Sequence, residues 1–270
     1  MSEPPALPSH ETLKLERPEP HILVLTLNRP QAMNAMNTQL GLDLRAFFRE
    51  FDPGQTPEVR CLIFTGSGDK ALSVGADLKE RQGMTDEAWR KQHVVFEEAT
   101  AALWRCPVPV VCAANGYALG GGCEMALCCD FIIASERASF GQPEVSRGII
   151  PGTGGTQRLP RRIGPGRAKE LLFTGCILDA RQAEAWGLVN RVVPAQQLMA
   201  EALDVARAIA KNGPIAVRQA KRAVEGGAHL EIEAALRWEL ECYAQTVPTE
   251  DRREGIDAFN QKRPPVFKNR

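Results

Sequence analysis

Apolar residues recur along the chain with two different periods. HILVLTLN (21–28) alternates apolar with other residues before an Arg29-Pro30 stop, and VRCLIFTG (59–66) is a β-branched and aromatic run closed by glycine. Both patterns predict strands. Between them, Leu40, Leu44, Phe47, Phe48 and Phe51 fall at helical intervals over Asn37 to Phe51, ending before Asp52-Pro53-Gly54. The order then repeats, with a helix from about Asp86 to Trp104, a strand VPVVCAA (108–114), a glycine-led helix to about Cys128 and a strand FIIAS (131–135). Such alternation predicts a layered α/β architecture around a mainly buried sheet.

From about Ala195 the strands stop. Helical spacing then covers Ala195 to Lys211, Pro214 to Gly226, Leu230 to Gln245 and Asp251 to Phe259. The expected organisation is an α/β core over residues 1–194 and a helical subdomain over 195–270, docked on the core or on a neighbouring subunit. No fixed-period repeat appears, and the Pro-rich stretches at 4–8 and 264–265 read as extended ends.

Residues 106–129 carry a single charge, Glu124. Hydropathy alone would allow a membrane span, but Pro107, Pro109 and Gly120-Gly121-Gly122 break the stretch into strand, turn and short helix. A lone carboxylate in such surroundings is desolvated, which suits it to exchanging protons, although a partly exposed or arginine-paired glutamate would fit the same pattern. The glycines open a helix, so unpaired N–H groups and the positive end of the helix dipole face outward and could hold an oxyanion. A tight turn is the commoner use of such a run. SVGADLKE (73–80) is a second glycine turn, with Ala76 placed to supply another N–H. Glu144, in FGQPEVSRG, follows Pro143 at a helix start and would alone pass as a capping acid. Neither glycine turn is a nucleotide P-loop or a dinucleotide fingerprint.

Charge changes the picture by exclusion. The 270 residues hold 33 basic and 33 acidic side chains, with 44% hydrophobic and 24% charged residues, so no global field favours nucleic acid or an anionic membrane. Eight cysteines lie mostly in apolar runs with no C-x-x-C pair, which reads as small buried hydrophobes in a reducing compartment. MSEPPALPSHETLKLE has neither the basic and apolar regions of a secretory signal nor an Arg-rich transit pattern. A cytoplasmic protein is expected.

Three segments together, NGYALGGGCE (115–124), FGQPE (140–144) and IPGTGGTQRLPRRIG (150–164), resemble the enoyl-CoA hydratase/isomerase (crotonase) superfamily. The likeness extends through NRPQAMNAM (28–36) and GADLKE (75–80) to DRREGIDAFNQKRPPVF (251–267). It implies a spiral of ββα units followed by a helical trimerisation region, hence a homotrimer or homohexamer. It further implies an acyl-CoA thioester substrate, coenzyme A being part of that substrate and no other cofactor being required. Ala76 and Gly121 match the oxyanion-hole donors, and Glu124 and Glu144 match the paired acids of the hydratases. Relatives that only isomerise a double bond often lack the first glutamate. For substrate binding the match points to Ala76, Asp77, Leu78, Lys79, Gly120 and Gly121, with Phe259 and Lys262 reaching the ligand of a neighbouring subunit. Gln31 departs from the basic residue frequent after the N-R-P turn.

The same comparison sets the alternatives: a Δ3-Δ2-enoyl-CoA isomerase, a thioester hydrolase, a dehydratase, or, through GADLKER, GGTQRLP and CYAQTVPTEDRREG, the methylglutaconyl-CoA hydratase branch, some of whose members bind RNA. The counterpart of that branch's lysine-rich helix, TQLGLDLRAFFREFD (38–52), balances Arg45 and Arg49 with Asp43, Glu50 and Asp52. Arg158, Arg161, Arg162, Arg167 and Lys169 are denser, but such a cluster usually marks a solvated helix face. Nucleic acid is therefore not the expected partner.

Overall fold

The computed structural model describes residues 7–51 and 59–270. The Asp52-Pro53-Gly54 stop and residues 4–6 of the Pro-rich start lie outside them.

Among the described residues, ten strands form two sheets. The larger has the order β1 (Leu13–Glu19), β2 (Ile22–Leu27), β3 (Cys61–Gly66), β5 (Val110–Ala114), β7 (Phe131–Ser135) and β10 (Arg191–Val193), antiparallel at β1–β2 and parallel throughout the rest. The smaller is built from three-residue strands, in the order β4 (Ala71–Ser73), β6 (Tyr117–Leu119), β8 (Ser139–Gly141) and β9 (Ile177–Asp179). The pairs β3–β4, β5–β6 and β7–β8 each place one strand in the large sheet and the next in the small one. Each pair leads to helix: β3–β4 to α2 (Leu78–Arg81) and α3 (Asp86–Trp104), β5–β6 to α4 (Gly121–Cys128), and β7–β8 through a 3-10 turn (Pro143–Arg147) to α5 (Gly155–Ile163). The result is the ββα spiral that the resemblance implies.

Strand alternation divides the core. In β3, Leu62 and Phe64 face the interior of the spiral, where they pack with Leu23, Leu25 and Cys112, while Cys61 and Ile63 face the opposite side. That outer face is covered by α8 (Leu198–Ala210) through Leu198, Ala202, Ala206 and Ala210, all buried at four-residue spacing. Alanine on this stripe lets the helix lie close to the sheet. Thus α8, although it follows the last strand, packs directly on the core.

The remaining helices are α1 (Thr38–Glu50), α6 (Pro165–Thr174), α7 (Ala180–Trp186), α9 (Pro214–Gly227), α10 (Ile232–Ala244) and α11 (Glu250–Asn260). Helix α1 begins where the Asn37 side chain accepts the Leu40 N–H, and it packs on α3. Helices α9 to α11 leave Val224, Leu236, Leu240, Tyr243 and Phe259 exposed. No described helix is long and apolar enough to cross a membrane. Seven of the eight cysteines are buried, and burial pushes the thiols of Cys61, Cys106 and Cys128 up to about 12. They behave as small apolar side chains.

Candidate active site

Two backbone turns meet at one end of the spiral. After β4 the chain forms an isolated parallel bridge with Met36, in which Met36 N–H donates to Gly75 O at 2.7 Å and Asp77 N–H donates to Met36 O at 2.9 Å. The N–H of Ala76 therefore points away from Met36. After β6, Gly120 takes φ +52 and ψ −125, a conformation that favours glycine, and its N–H donates to Gly141 O at 2.9 Å. Helix α4 then starts at Gly121, whose N–H, as the first of the helix, has no carbonyl behind it. A Cβ placed on Gly121 would lie 3.4 Å from Gly75 Cα and 3.9 Å from Ala76 N, so the two N–H groups are neighbours. One on Gly122 would lie 2.0 Å from Ser73 O: only glycine lets α4 approach β4 this closely.

Asp77 fixes the first turn. Both terminal nitrogens of Arg29 donate to its Oδ2 at 3.0 Å, while its Oδ1 accepts Lys79 N–H at 3.1 Å and caps α2. Its side chain is therefore spent on holding the turn that carries Ala76.

Glu124 lies in the first turn of α4 and is 3% exposed. Its Oε1 accepts Thr153 N–H at 2.8 Å and Gly155 N–H at 2.7 Å, and its Oε2 accepts the Thr153 hydroxyl at 2.6 Å. Three donors thus fix its orientation. The donor loop is itself braced: Arg158 donates to Thr153 O at 2.7 Å and lies over the Trp104 ring. Gly154, at φ +112, leaves the space that this guanidinium fills.

Glu144 is half-buried in the 3-10 turn after β8. Burial pushes its pKa up to about 7, with the Glu124 charge adding to the rise and its own backbone N–H and Arg147 opposing it. Fully buried Gln142 turns its amide nitrogen to Glu144, donating to Oε1 at 3.0 Å and Oε2 at 3.2 Å. The two glutamates therefore occupy contrasting environments, one clamped by three donors and one poised to exchange a proton near neutrality.

Both carboxylates line a cleft of about 1320 Å³ together with Ala76, Gly120 and Gly121. Asp77, Leu78 and Lys79 line its rim, Lys79 being exposed, and Gln31 stands beside them. Phe259 and Lys262 are exposed outside this cleft, Phe259 at 84%. Sequence reasoning missed Gln142, Thr153 and Gly155 as parts of the site. The glycine-rich GTGGT was the only local signal for Thr153 and Gly155, because the carboxylate they serve lies about thirty positions away, whereas Gln142 stands two positions before the Glu144 it serves. The basic cluster predicted as a solvated face is partly consumed: besides Arg158, Arg162 donates to the carbonyls of Cys129 and Asp130 at 2.9 Å.

The enoyl-CoA hydratase/isomerase family model matches residues 17–270. A crotonyl-CoA hydratase of Syntrophomonas wolfei is 41% identical over 259 residues, covering 96% of this chain and 98% of that protein. A short-chain-enoyl-CoA hydratase of Clostridium acetobutylicum is 42% identical over 253 residues, covering 93% and 96%. The crystal structure of an enoyl-CoA hydratase from Bacillus anthracis superposes with a TM-score of 0.94 at 42% identity, over 96% of this chain and 100% of that one. The chain is an enzyme of the enoyl-CoA hydratase/isomerase (crotonase) family, to which it belongs over nearly its whole length.

Proposed function

We propose that this protein adds water across the double bond of a 2-enoyl-CoA thioester to give the 3-hydroxyacyl thioester. The observation that carries this reading is the pairing of Glu124 and Glu144 beside the N–H groups of Ala76 and Gly121, in one cleft and in contrasting environments. In the hydration step the thioester oxygen accepts both N–H groups, and water held between the carboxylates forms a bond to Cβ as the π pair moves to the enolate. Glu124 takes the proton released by the water. Glu144 gives its proton to Cα, the enolate collapses, and the two acids return to their starting states by exchange through the next water. Both acids work on one face, so addition is syn. Each oxyanion donor contributes roughly 3 to 4 kcal/mol to the transition state.

The clamp on Glu124 supports its holding role, and the raised pKa of Glu144 supports proton exchange at Cα. Asp77, Leu78, Lys79 and Gly120 border the thioester and its coenzyme A portion, which is part of the substrate and not a separate cofactor. In a homotrimer or homohexamer, the exposed apolar faces of α10 and α11 associate, and Phe259 and Lys262 reach the ligand of a neighbouring copy. Residues 1–194 then supply the chemistry, and 195–270 supply chiefly the contacts between copies. In α1, Arg45 and Arg49 are paired with Glu98 at 2.7 and 3.2 Å, which favours a thioester enzyme over a nucleic-acid binder.

Loss of the conjugated-thioester absorbance of crotonyl-CoA tests this reading directly. Wild type should consume it, and Glu144→Gln and Glu124→Gln should each slow turnover by about a hundredfold or more. Near-normal hydration by both variants would refute the assignment.

A further inference from the structure

The proposed hydration step needs one glutamate that begins as an anion and one that begins with a proton, and the charges behind the cleft separate the two. Glu124 stands in the first turn of α4 and accepts the first N–H of α5, from Gly155, so the positive ends of two helices face its carboxylate. Arg158 is the fourth residue of α5, close to a helix end where acids are favoured and a cation opposes the dipole. Its side chain turns back past the start of the helix, where Nη1 donates to Thr153 O at 2.7 Å and the guanidinium lies 4.9 Å from the centre of the Trp104 ring. A Cβ on Gly154 would fall 1.9 Å from that nitrogen, so only glycine there admits it. Among the described residues Arg158 makes no ion pair, and helix stability does not explain its position.

The arginine holds the middle of three successive peptide units. The units on either side carry the N–H groups of Thr153 and Gly155, both of which donate to Glu124 Oε1, while the Thr153 hydroxyl donates to Oε2. A guanidinium on the central carbonyl fixes the spacing of those donors and brings a positive charge to the back of the loop whose front meets the carboxylate. The other titratable groups around Glu124 supply no fixed positive charge: α4 contributes the buried thiols of Cys123 and Cys128, the 3-10 turn contributes Glu144, and α3 contributes His93, which packs on Gly152 and pairs with Glu97. The Cys128 thiol feels Arg158 and Glu124 with opposite sign, which places both charges within reach of one buried residue of α4. Glu144 has no counterpart to Arg158: its side-chain donor is the neutral amide of Gln142, and Arg147 is exposed, with Nη1 on Pro143 O and the Ser146 hydroxyl.

We propose that Arg158 is a positioning residue that acts through the Thr153 carbonyl to keep Glu124 the anionic member of the pair, and so fixes which glutamate handles the water and which exchanges the proton at Cα. This division of roles rests on the hydratase reading above and deepens it. A mechanical brace asks only for a hydrogen-bond donor on the carbonyl, whereas the assignment of charge asks for a cation, and the two requirements part in Arg158→Gln and Arg158→Lys.

Crotonyl-CoA hydration by Arg158→Lys, Arg158→Gln and Arg158→Met provides the test. Arg158→Gln and Arg158→Met should lower kcat by about tenfold or more with KM little changed, and Arg158→Lys should stay within about threefold of wild type. The low-pH limb of kcat/KM, on which Glu124 gains a proton, should move to higher pH in Arg158→Gln and Arg158→Met and return in Arg158→Lys, because removing a cation from beside a carboxylate favours the protonated form. Deuterium exchange at Cα of butyryl-CoA, which needs Glu144 and the oxyanion donors but no addition of water, should stay within about threefold of wild type in every variant. A fall in hydration with the limb unmoved, an equal fall in Cα exchange, or an Arg158→Lys no better than Arg158→Met would overturn the proposal. Infrared difference spectra on acidification, with Glu124→Gln as the assigning control, read the protonated Glu124 carboxyl without turnover. If wild type hydrates no enoyl thioester yet that band appears at higher pH in Arg158→Gln than in wild type, the hydratase reading fails and the part of Arg158 in holding Glu124 anionic stands. A band at the same pH in both removes that part whatever the turnover.

Discussion

Glu144 rests directly on the backbone of Gly120: a Cβ added to Gly120 would sit 2.9 Å from Glu144 Oε1. In the proposed mechanism, this contact couples the turn that begins α4 and its oxyanion donor to the group that exchanges the proton. It also explains why this position needs glycine twice over, once for space and once for φ +52. Gly120→Ala should therefore lose about 1 to 3 kcal/mol of stability through backbone strain and displace the Glu144 carboxylate. Thermal unfolding and crotonyl-CoA hydration check this together, and hydration should fall at least tenfold in protein that remains folded.

The pH profile follows from the pair. In the proposed mechanism hydration begins with a proton on Glu144 and none on Glu124, and dehydration begins with the reverse distribution, so both directions need one proton shared by the two acids. Glu144 is raised to about 7, so kcat/KM should decline as pH rises through about 7, when that proton is lost. The equilibrium consumes no proton, and the dehydration profile must follow the same limb. Steady-state rates in both directions from pH 5.5 to pH 9 provide the check, and Glu144→Gln should abolish the limb along with most of the activity.

Gln142 acts through Glu144. Replacing its two donors with the apolar side chain of leucine removes stabilisation of the carboxylate form, so Gln142→Leu should move the high-pH limb to still higher pH. Turnover should drop by about tenfold through lost orientation, with KM little changed. A variant that lost activity with the limb unmoved would indicate general disruption instead.

How much of this was legible depended on length and contrast. The strands β2, β3, β5 and β7 and the helices α1, α3 and α4 carry enough alternating or helical periods to be read directly. The three-residue strands of the small sheet do not, since two or three positions define no period, and that sheet positions β4 and β6 ahead of the turns that carry Ala76 and Gly121. Strand β1 was missed because LKLERPE interleaves its alternation with charges on an edge strand. Helix α8 was readable, but its landing place on the outer sheet face was not, because that depends on which sheet face the spiral leaves uncovered. Glu124 was visible because it is the only charge in a long apolar stretch. Its three donors were invisible because they reach it through tertiary folding.

The Arg29–Asp77 ion pair offers the sharpest separation of stability from catalysis. The two side chains are only 16% and 13% exposed, so removing one partner leaves a poorly solvated charge. Asp77→Ala should cost about 2 to 4 kcal/mol, including the lost α2 cap, and should slow hydration by loosening the turn that aims the Ala76 N–H. Arg29→Met combined with Asp77→Leu removes both charges and replaces them with apolar volume, so part of the stability should return. Activity should not return with it, because the Oδ2 tether and the Oδ1 cap are both still missing. Denaturant unfolding and crotonyl-CoA turnover on the two singles and the double form a complete cycle. Recovery of both quantities together would mean that the pair serves only the fold, whereas recovery of stability alone would assign Asp77 to positioning the oxyanion donor.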